Sequence, residues 1–137
     1  MEGRFELYSL HVILVLERLK GQGAEASDLG QALFDALLRG LDDGLREMGV
    51  GDLSVGKKMR KLGEALYGRA KNLDEALTLL PDRSALLALM SRTVYAGVAD
   101  ADPAPLGEWV VQAVAALSAQ GLEDMKAGLV AFPEPRS

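Results

Sequence analysis

The feature that most constrains the fold is a row of leucines at every fourth position. The row consists of Leu29, Leu33, Leu37, Leu41 and Leu45. This spacing places them along one face of an α-helix, because a helix turns once in about 3.6 residues. Small residues at positions 32, 36, 40 and 44 form a second row, which predicts close packing of another helix there. We predict a long helix that starts at Ser27 or Asp28, where Asp28 and Gln31 have the spacing of a capping box.

Composition extends the helical prediction to the whole chain. Hydrophobic residues make up 49% of the 137 residues but aromatic residues only 5%, so the core must be mainly Leu, Val, Ala and Met. Leu, Ala and Met suit helices better than sheets, which favour β-branched and aromatic side chains. Helical patterns recur at 55–66, 72–80, 82–98 and 106–117, the second opening with a capping box at Asn72 and Glu75. We predict an all-α fold, a compact single-domain bundle of about six helices.

The apolar run Leu7–Leu16 predicts the centre of this bundle. A membrane-spanning helix needs roughly 20 mostly apolar residues, and this run is about half that length and contains a Ser and a His. We therefore interpret it as a buried N-terminal helix. His11 is the only imidazole, and the favoured interpretation is a packed histidine in the core or at its edge. We expect residues 1–127 to form one helical domain and residues 128–137, with two prolines, an extended C-terminal tail.

Several classes of chemistry are disfavoured by what the sequence lacks. There is no cysteine, which removes disulfides, thiol nucleophiles and cysteine metal sites, and one histidine makes a histidine metal cluster improbable. The net charge of −5 argues against general nucleic-acid binding. No signal peptide is visible, which predicts a cytoplasmic protein. We expect no cofactor and no enzymatic activity.

The segment Gly51–Lys58 matches the first seven positions of the phosphate-binding pattern G-x-x-x-x-G-K-[ST]. Lys58 stands where that pattern needs a hydroxyl for magnesium, and the residues upstream are helical where a strand is required. The favoured interpretation is a glycine turn between two helices. A nucleotide-binding enzyme that uses the loop from Gly51 to Lys57 remains the weaker alternative.

A strongly basic segment follows this turn. Between positions 57 and 71, six basic residues stand against Glu64 alone, which gives +5 on an otherwise acidic chain. At 100° per residue most of these cations face away from the predicted buried stripe of Val55 and Leu66. A solvated face with an Arg60–Glu64 pair is one interpretation, and a docking surface is the other. The candidate partner-binding residues are Lys57, Lys58, Arg60, Lys61, Tyr67 and Arg69.

Several segments between Gly3 and Leu77 together resemble the ubiquinol–cytochrome c chaperone family. The segments are Gly3–Leu7, Leu10-His11, Gln31–Asp35, Leu45–Met59 and Tyr67-Gly68-Arg69. The most specific part is the block LREMGVGDLSVGKKM, followed at a fixed distance by YGR. Family members usually have a further helical segment ahead of the position of Gly3, so a truncated chain or a member without that segment is expected.

The resemblance implies a non-enzymatic assembly factor for the cytochrome bc1 complex. The implied partner is newly made cytochrome b or another bc1 assembly intermediate. A small partner protein, the ribosome or an anionic membrane surface is a further expected contact, and sequence-specific nucleic acid is not. The implied location is the cytoplasm, including a peripheral position at the inner face of the respiratory membrane. A generic helical protein-interaction adaptor is the alternative from the residues alone.

Overall fold

The structure is a computed structural model that describes the backbone of residues 3–47, 49 and 51–134, and of these it describes residues 3, 4, 44, 45, 52 and 53 by backbone alone. Within these ranges the chain forms six α-helices and no strand, which confirms the predicted all-α bundle. The helices are α1 (Gly3–Leu19), α2 (Ala24–Glu47), α3 (Asp52–Thr78), α4 (Ser84–Arg92), α5 (Ala104–Ser118) and α6 (Leu122–Lys126). No helix in the described part of the chain is both long and apolar enough to cross a membrane.

Helix α1 lies at the centre of the bundle, as predicted, because apolar side chains on two sides of it are buried. One side contributes Leu10, Ile13 and Leu14 to a large cluster, here called the main core. The other side contributes Val12 to a small cluster, the minor core, whose other buried members are Leu37 and Leu66. The remaining buried members of the main core are Leu73, Ala76, Leu86, Leu89, Met90, Trp109, Val110, Ala113, Leu117 and Met125.

Helix α2 begins at Ala24, three or four residues before the predicted start at Ser27 or Asp28. Ala26 in this first turn is buried, and Glu25 pairs with Lys126 of α6, so tertiary contacts stabilise the extra turn. The predicted packing at the small-residue row is wrong. Ala32, Ala36 and Gly40 are exposed, and a methyl group added at Gly40 would meet no atom within 4 Å. Gly44 and Leu45, the last members of the two predicted rows, lie outside the described side chains.

The six observed helices are not the six predicted ones. No helix starts at Asn72, because α3 runs unbroken to Thr78 and buries Leu73 and Ala76 in the main core. The predicted helix over 82–98 ends at Arg92 and is followed by turns, with Gly97 at φ +81°. The short helix α6 was not predicted. Its single buried residue in the main core is Met125, too little for a periodic signal.

The described part of the C-terminal tail, residues 128–134, has no regular secondary structure. We call it the strap. It lies against α1 and α5: the Phe132 ring contacts His11 and Trp109. The last three residues of the predicted tail lie outside the described residues. Arg18 of α1 ties the end of α5 to the centre of the bundle by donating to the carbonyl oxygens of Leu117 (2.8 Å) and Gln120 (2.9 Å).

Candidate docking surface

The N-terminal half of α3 presents the predicted cations to solvent. Lys57, Lys58, Arg60 and Lys61 are all exposed, and we call these four side chains the basic surface. On the opposite side of the same turns Val55 is fully buried, while Met59 and Leu62 are partly buried. The predicted outward orientation of this face is therefore confirmed. It follows from helical periodicity, which puts the apolar residues of this segment on one face of α3 and the cations on the other.

The basic surface has no ion-pair partner within the described part of the protein. None of its four side chains forms an ion pair or hydrogen bond with a described residue, and the predicted Arg60–Glu64 pair is absent. Lys57 and Lys61 are four residues apart on one helix face, where like charges destabilise a helix by roughly 0.2–0.5 kcal/mol. Four cations within five residues are thus mildly unfavourable for folding. An external anionic partner would relieve this repulsion.

Tyr67 extends the basic surface along α3. Arg60, Glu64, Tyr67 and Lys71 recur at the helical spacing of three or four residues, and all four are exposed. The Tyr67 side chain is 71% exposed, although aromatic rings of this size are usually at least half covered. An exposed tyrosine beside cations is a common composition of protein contacts, because its ring gives apolar area and its hydroxyl a hydrogen bond.

Arg69, the sixth predicted candidate, differs from the others because its guanidinium already has partners within the protein. Its guanidinium donates from Nη2 to Oε1 of Glu6 (2.6 Å) and from Nε to Oε2 (2.8 Å). Its Nη1 donates to the carbonyl oxygen of Ala65 (3.2 Å). Glu6 is only 3% exposed, so this bidentate ion pair joins α1 to α3 inside the protein. Sequence periodicity does not reveal the pair, because its partners are 63 positions apart.

The glycine segment does not form a phosphate-binding loop. Gly49 makes the turn, with φ +82°, and Gly51 precedes the first residue of α3. Residues 52–57 are already helical, so the predicted glycine turn takes up less of the segment Gly51–Lys58 than expected. A phosphate loop needs the residues between its two glycines in an open curve whose backbone N–H groups converge on the anion. Here the backbone N–H groups at those positions lie within a helix.

Sequence reasoning missed a groove of about 400 Å³ between α1, α2 and α3, which borders Tyr67 and Lys71. Glu17 and Asp74 meet in it through a hydrogen bond, and Lys20 lies 3.1 Å from Asp74. Burial, then the hydrogen bond and the negative charge of Asp74, raise the pKa of Glu17 to about 7. The hydrogen bonds from Glu17 and Lys20 lower the pKa of Asp74. Glu17 and Lys20 are a visible i, i+3 pair, but Asp74 is brought there only by folding.

The fold and this surface define a class: a single-domain helical protein with an exposed cationic face. Among the described residues, no three metal-ligating side chains cluster. Comparison with known families matches residues 1–132 to the ubiquinol–cytochrome C chaperone family. The chain belongs to this family, which confirms the resemblance seen in the sequence.

A solved structure agrees with this assignment. The chain is similar to the Cbp3 homolog from Brucella abortus, with 32% sequence identity and a TM-score of 0.83. The match covers 96% of this chain and 72% of that one. No curated protein matches the sequence significantly. The family match includes all of α1 to α6 and most of the strap.

Proposed function

We propose that this protein is a non-enzymatic assembly chaperone that binds newly made cytochrome b during biogenesis of the cytochrome bc1 complex. The observation that carries the proposal is the family match over residues 1–132. The 32% identity to the Cbp3 homolog over nearly the whole chain supports it, because the helices here have counterparts in that protein. A holding protein needs a stable body and an accessible surface rather than a set of catalytic groups.

The basic surface is the proposed contact with the assembly intermediate. Its four exposed cations, which have no ion-pair partner among the described residues, attract an acidic segment and raise the rate of encounter with it. Tyr67 lies in line with them and supplies a large, accessible apolar contact. Arg69 is left out of this proposed contact, because its Nε and Nη2 already donate to Glu6 and its Nη1 to the carbonyl oxygen of Ala65.

Affinity capture from native membranes tests the proposed function. A tagged copy of the full chain, expressed in cells that lack the untagged protein, should retain cytochrome b after mild detergent extraction. Cells without any copy should contain less assembled bc1 complex and less cytochrome b. Unchanged levels of both, together with capture of no bc1 subunit, would contradict the proposal. Recovery of ribosomal proteins or anionic lipid without cytochrome b would instead favour a different partner for the basic surface.

A further inference from the structure

Two cavities adjoin one face of α1, on either side of His11. One has a volume of about 330 Å³, lies between α1, α2 and the strap, and is lined almost entirely by apolar side chains such as Val15 and Leu33. The other, of about 290 Å³, lies between α1, the segment after α4, and α5, and reaches Leu7 and Trp109. Each is close to the lower limit of small-ligand sites, which is roughly 300 Å³. Together with the position of His11 they form one apolar groove along α1.

The strap borders this groove beside the 330 Å³ cavity, and a few directional contacts hold it there. The Phe132 ring lies 4.8 Å from the His11 ring and 6.0 Å from the Trp109 ring, measured between centroids. Trp109 Nε1 donates to the carbonyl oxygen of Pro133 (2.9 Å). The side chain of Gln120 bonds both backbone groups of Ala131: its Nε2 donates to the carbonyl (2.7 Å), and its Oε1 accepts from the N–H (2.9 Å).

These contacts are the ones a protein makes to an extended peptide. Gln120 recognises the backbone of one residue without regard to its side chain, as a neighbouring strand does. Trp109 adds one carbonyl contact, and the His11–Trp109 pair accepts one aromatic ring. His11 is oriented for this packing because its Nδ1–H donates to the carbonyl oxygen of Leu7 (2.7 Å).

The strap fills the groove incompletely. Val130 and Phe132 line the 330 Å³ cavity rather than occupy it, and Leu129 points away, with 65% of its surface exposed. Unfilled apolar space beside Phe132 means lost dispersion contacts on its walls. A segment with a larger apolar residue at the position of Val130 would gain those contacts while keeping the hydrogen bonds to Gln120 and Trp109.

We propose that this groove binds an extended apolar segment of a partner protein, with an aromatic residue in the position of Phe132, and that the strap occupies the groove as a displaceable internal ligand. The strap leaves α6 at Gly128, whose φ of +85° ends that helix. The groove is separate from the basic surface, and the inference does not depend on cytochrome b being the client.

Trp109 reports directly on the groove, because it is the only tryptophan of the chain. The probe is the peptide acetyl-Gly-Leu-Val-Ala-Phe-Pro-Glu-amide, which has the sequence of the strap. The test variant of the full chain is Phe132→Ala, which weakens the strap and leaves the groove intact; Leu129→Ala is the matched control, because that side chain is exposed. Trp109 fluorescence is followed during titration with the peptide.

We expect saturable binding to Phe132→Ala and an apparent affinity at least about tenfold weaker for the natural chain and for Leu129→Ala. The reason is that a tethered strap competes at an effective concentration of about 1 mM. A peptide with Ala in place of its Phe should bind none of the three. No response of Phe132→Ala, or an equal response to both peptides, would overturn the proposal.

A second measurement on the natural chain applies if Phe132→Ala does not fold. Saturating peptide should speed hydrogen exchange at the Ala131 amide, because the displaced strap loses its bond to Gln120. Exchange of the α1 amides should stay constant and serves as the internal control. An Ala131 exchange rate that is unchanged at saturating peptide would equally overturn the proposal.

Discussion

The two halves of α3 carry the same residue types but place them in opposite surroundings. In residues 52–65 the described side chains include one fully buried position, Val55, and four exposed cations. In residues 66–78 the helix buries Leu66, Leu73 and Ala76, and Arg69 is paired with a buried carboxylate. Leu73 and Ala76 of the second half lie in the main core, whereas none of the described side chains of the first half does.

The difference separates the half of α3 that stabilises the fold from the half that we propose as a contact surface. Charge near the main core is paired, because a buried unpaired ion would cost several kcal/mol. Charge on the N-terminal half stays in water, where it costs little and remains available to a partner. The half with fewer buried residues also tolerates substitution better, so it is the one on which a recognition surface is least constrained by folding.

Among the substitutions in α3, one that removes the Arg69–Glu6 ion pair should have the largest effect on stability. Arg69→Ala leaves the Glu6 carboxylate buried without its partner, and we expect a loss of about 3–5 kcal/mol in the free energy of unfolding. Lys58→Ala, the matched removal of an exposed cation on the same helix, should change it by less than about 0.5 kcal/mol. Urea denaturation followed by circular dichroism measures both. Similar values for the two variants would show that the halves do not differ as described.

Shortening apolar side chains tests the same difference between the two halves of α3. Leu66→Ala removes a side chain that is 0% exposed between α1 and α2, and we expect a loss of about 2–4 kcal/mol. Met59→Ala removes a partly covered side chain and should cost about 1 kcal/mol. Thermal and urea unfolding of both variants give the two values. A Met59 effect as large as that of Leu66 would contradict the lighter packing assigned to the N-terminal half.

The pH dependence of stability tests the groove beside Tyr67. The pKa of Glu17 is raised from 4.5 to about 7 in the folded protein, so between these values the folded state holds a proton that the unfolded chain has lost. Stability should therefore fall as pH rises through this window. Glu17→Gln keeps a neutral side chain that can donate to Asp74, and it should flatten the profile: equal to the natural chain at about pH 5 and more stable at about pH 8.

The pKa shifts of Asp74 and Lys20 move both groups away from the pH range in which Glu17 titrates. The pKa of Asp74 is lowered below 3.8, and that of Lys20 is raised above 10.5. Both groups therefore titrate outside the range in which Glu17 changes its charge. If Glu17→Gln and the natural chain fell in parallel from pH 5 to pH 8, another group would be responsible and the pairing with Asp74 would be wrong.

The fold class and the central helix were predictable because they depend on local periodicity. The α1 run and the leucine row of α2 repeat at helical spacing over many residues, and such signals survive in any tertiary context. The boundary at Asn72 was wrong because the buried stripe through Leu73 and Ala76 overrides a local capping signal. The exposure of Ala32 and Ala36 was missed because a row of small residues is equally compatible with close packing and with solvent.

The candidate site was predictable only in part, because periodicity shows which face of a helix a residue occupies but not which distant residue it contacts. Periodicity predicted that Lys57 and Lys61 are exposed, since both lie on the helix face opposite the buried residues. It could not separate Arg69 from them, because the pairing with Glu6 joins two distant helices. The strap was predicted as an extended tail over 128–137, but its contacts with Trp109 depend on where the chain returns. That residues 1–127 form one domain without this tail remains a prediction.

The proposed contact between the basic surface and the assembly intermediate depends on the positive charge of that surface. Two full-chain variants that change net charge by the same amount test it: Lys57→Glu with Lys61→Glu, and Arg39→Glu with Arg92→Glu as the control on α2 and α4. All four side chains are exposed, so both variants should keep the helical content of the natural chain.

The deciding measurement is the amount of cytochrome b retained by each variant, captured from native membranes at low and at high salt. We predict that Lys57→Glu with Lys61→Glu retains about tenfold less cytochrome b at low salt, that the control retains a normal amount, and that added salt narrows the gap. Equal retention of cytochrome b by both variants at every salt concentration would contradict docking through the basic surface.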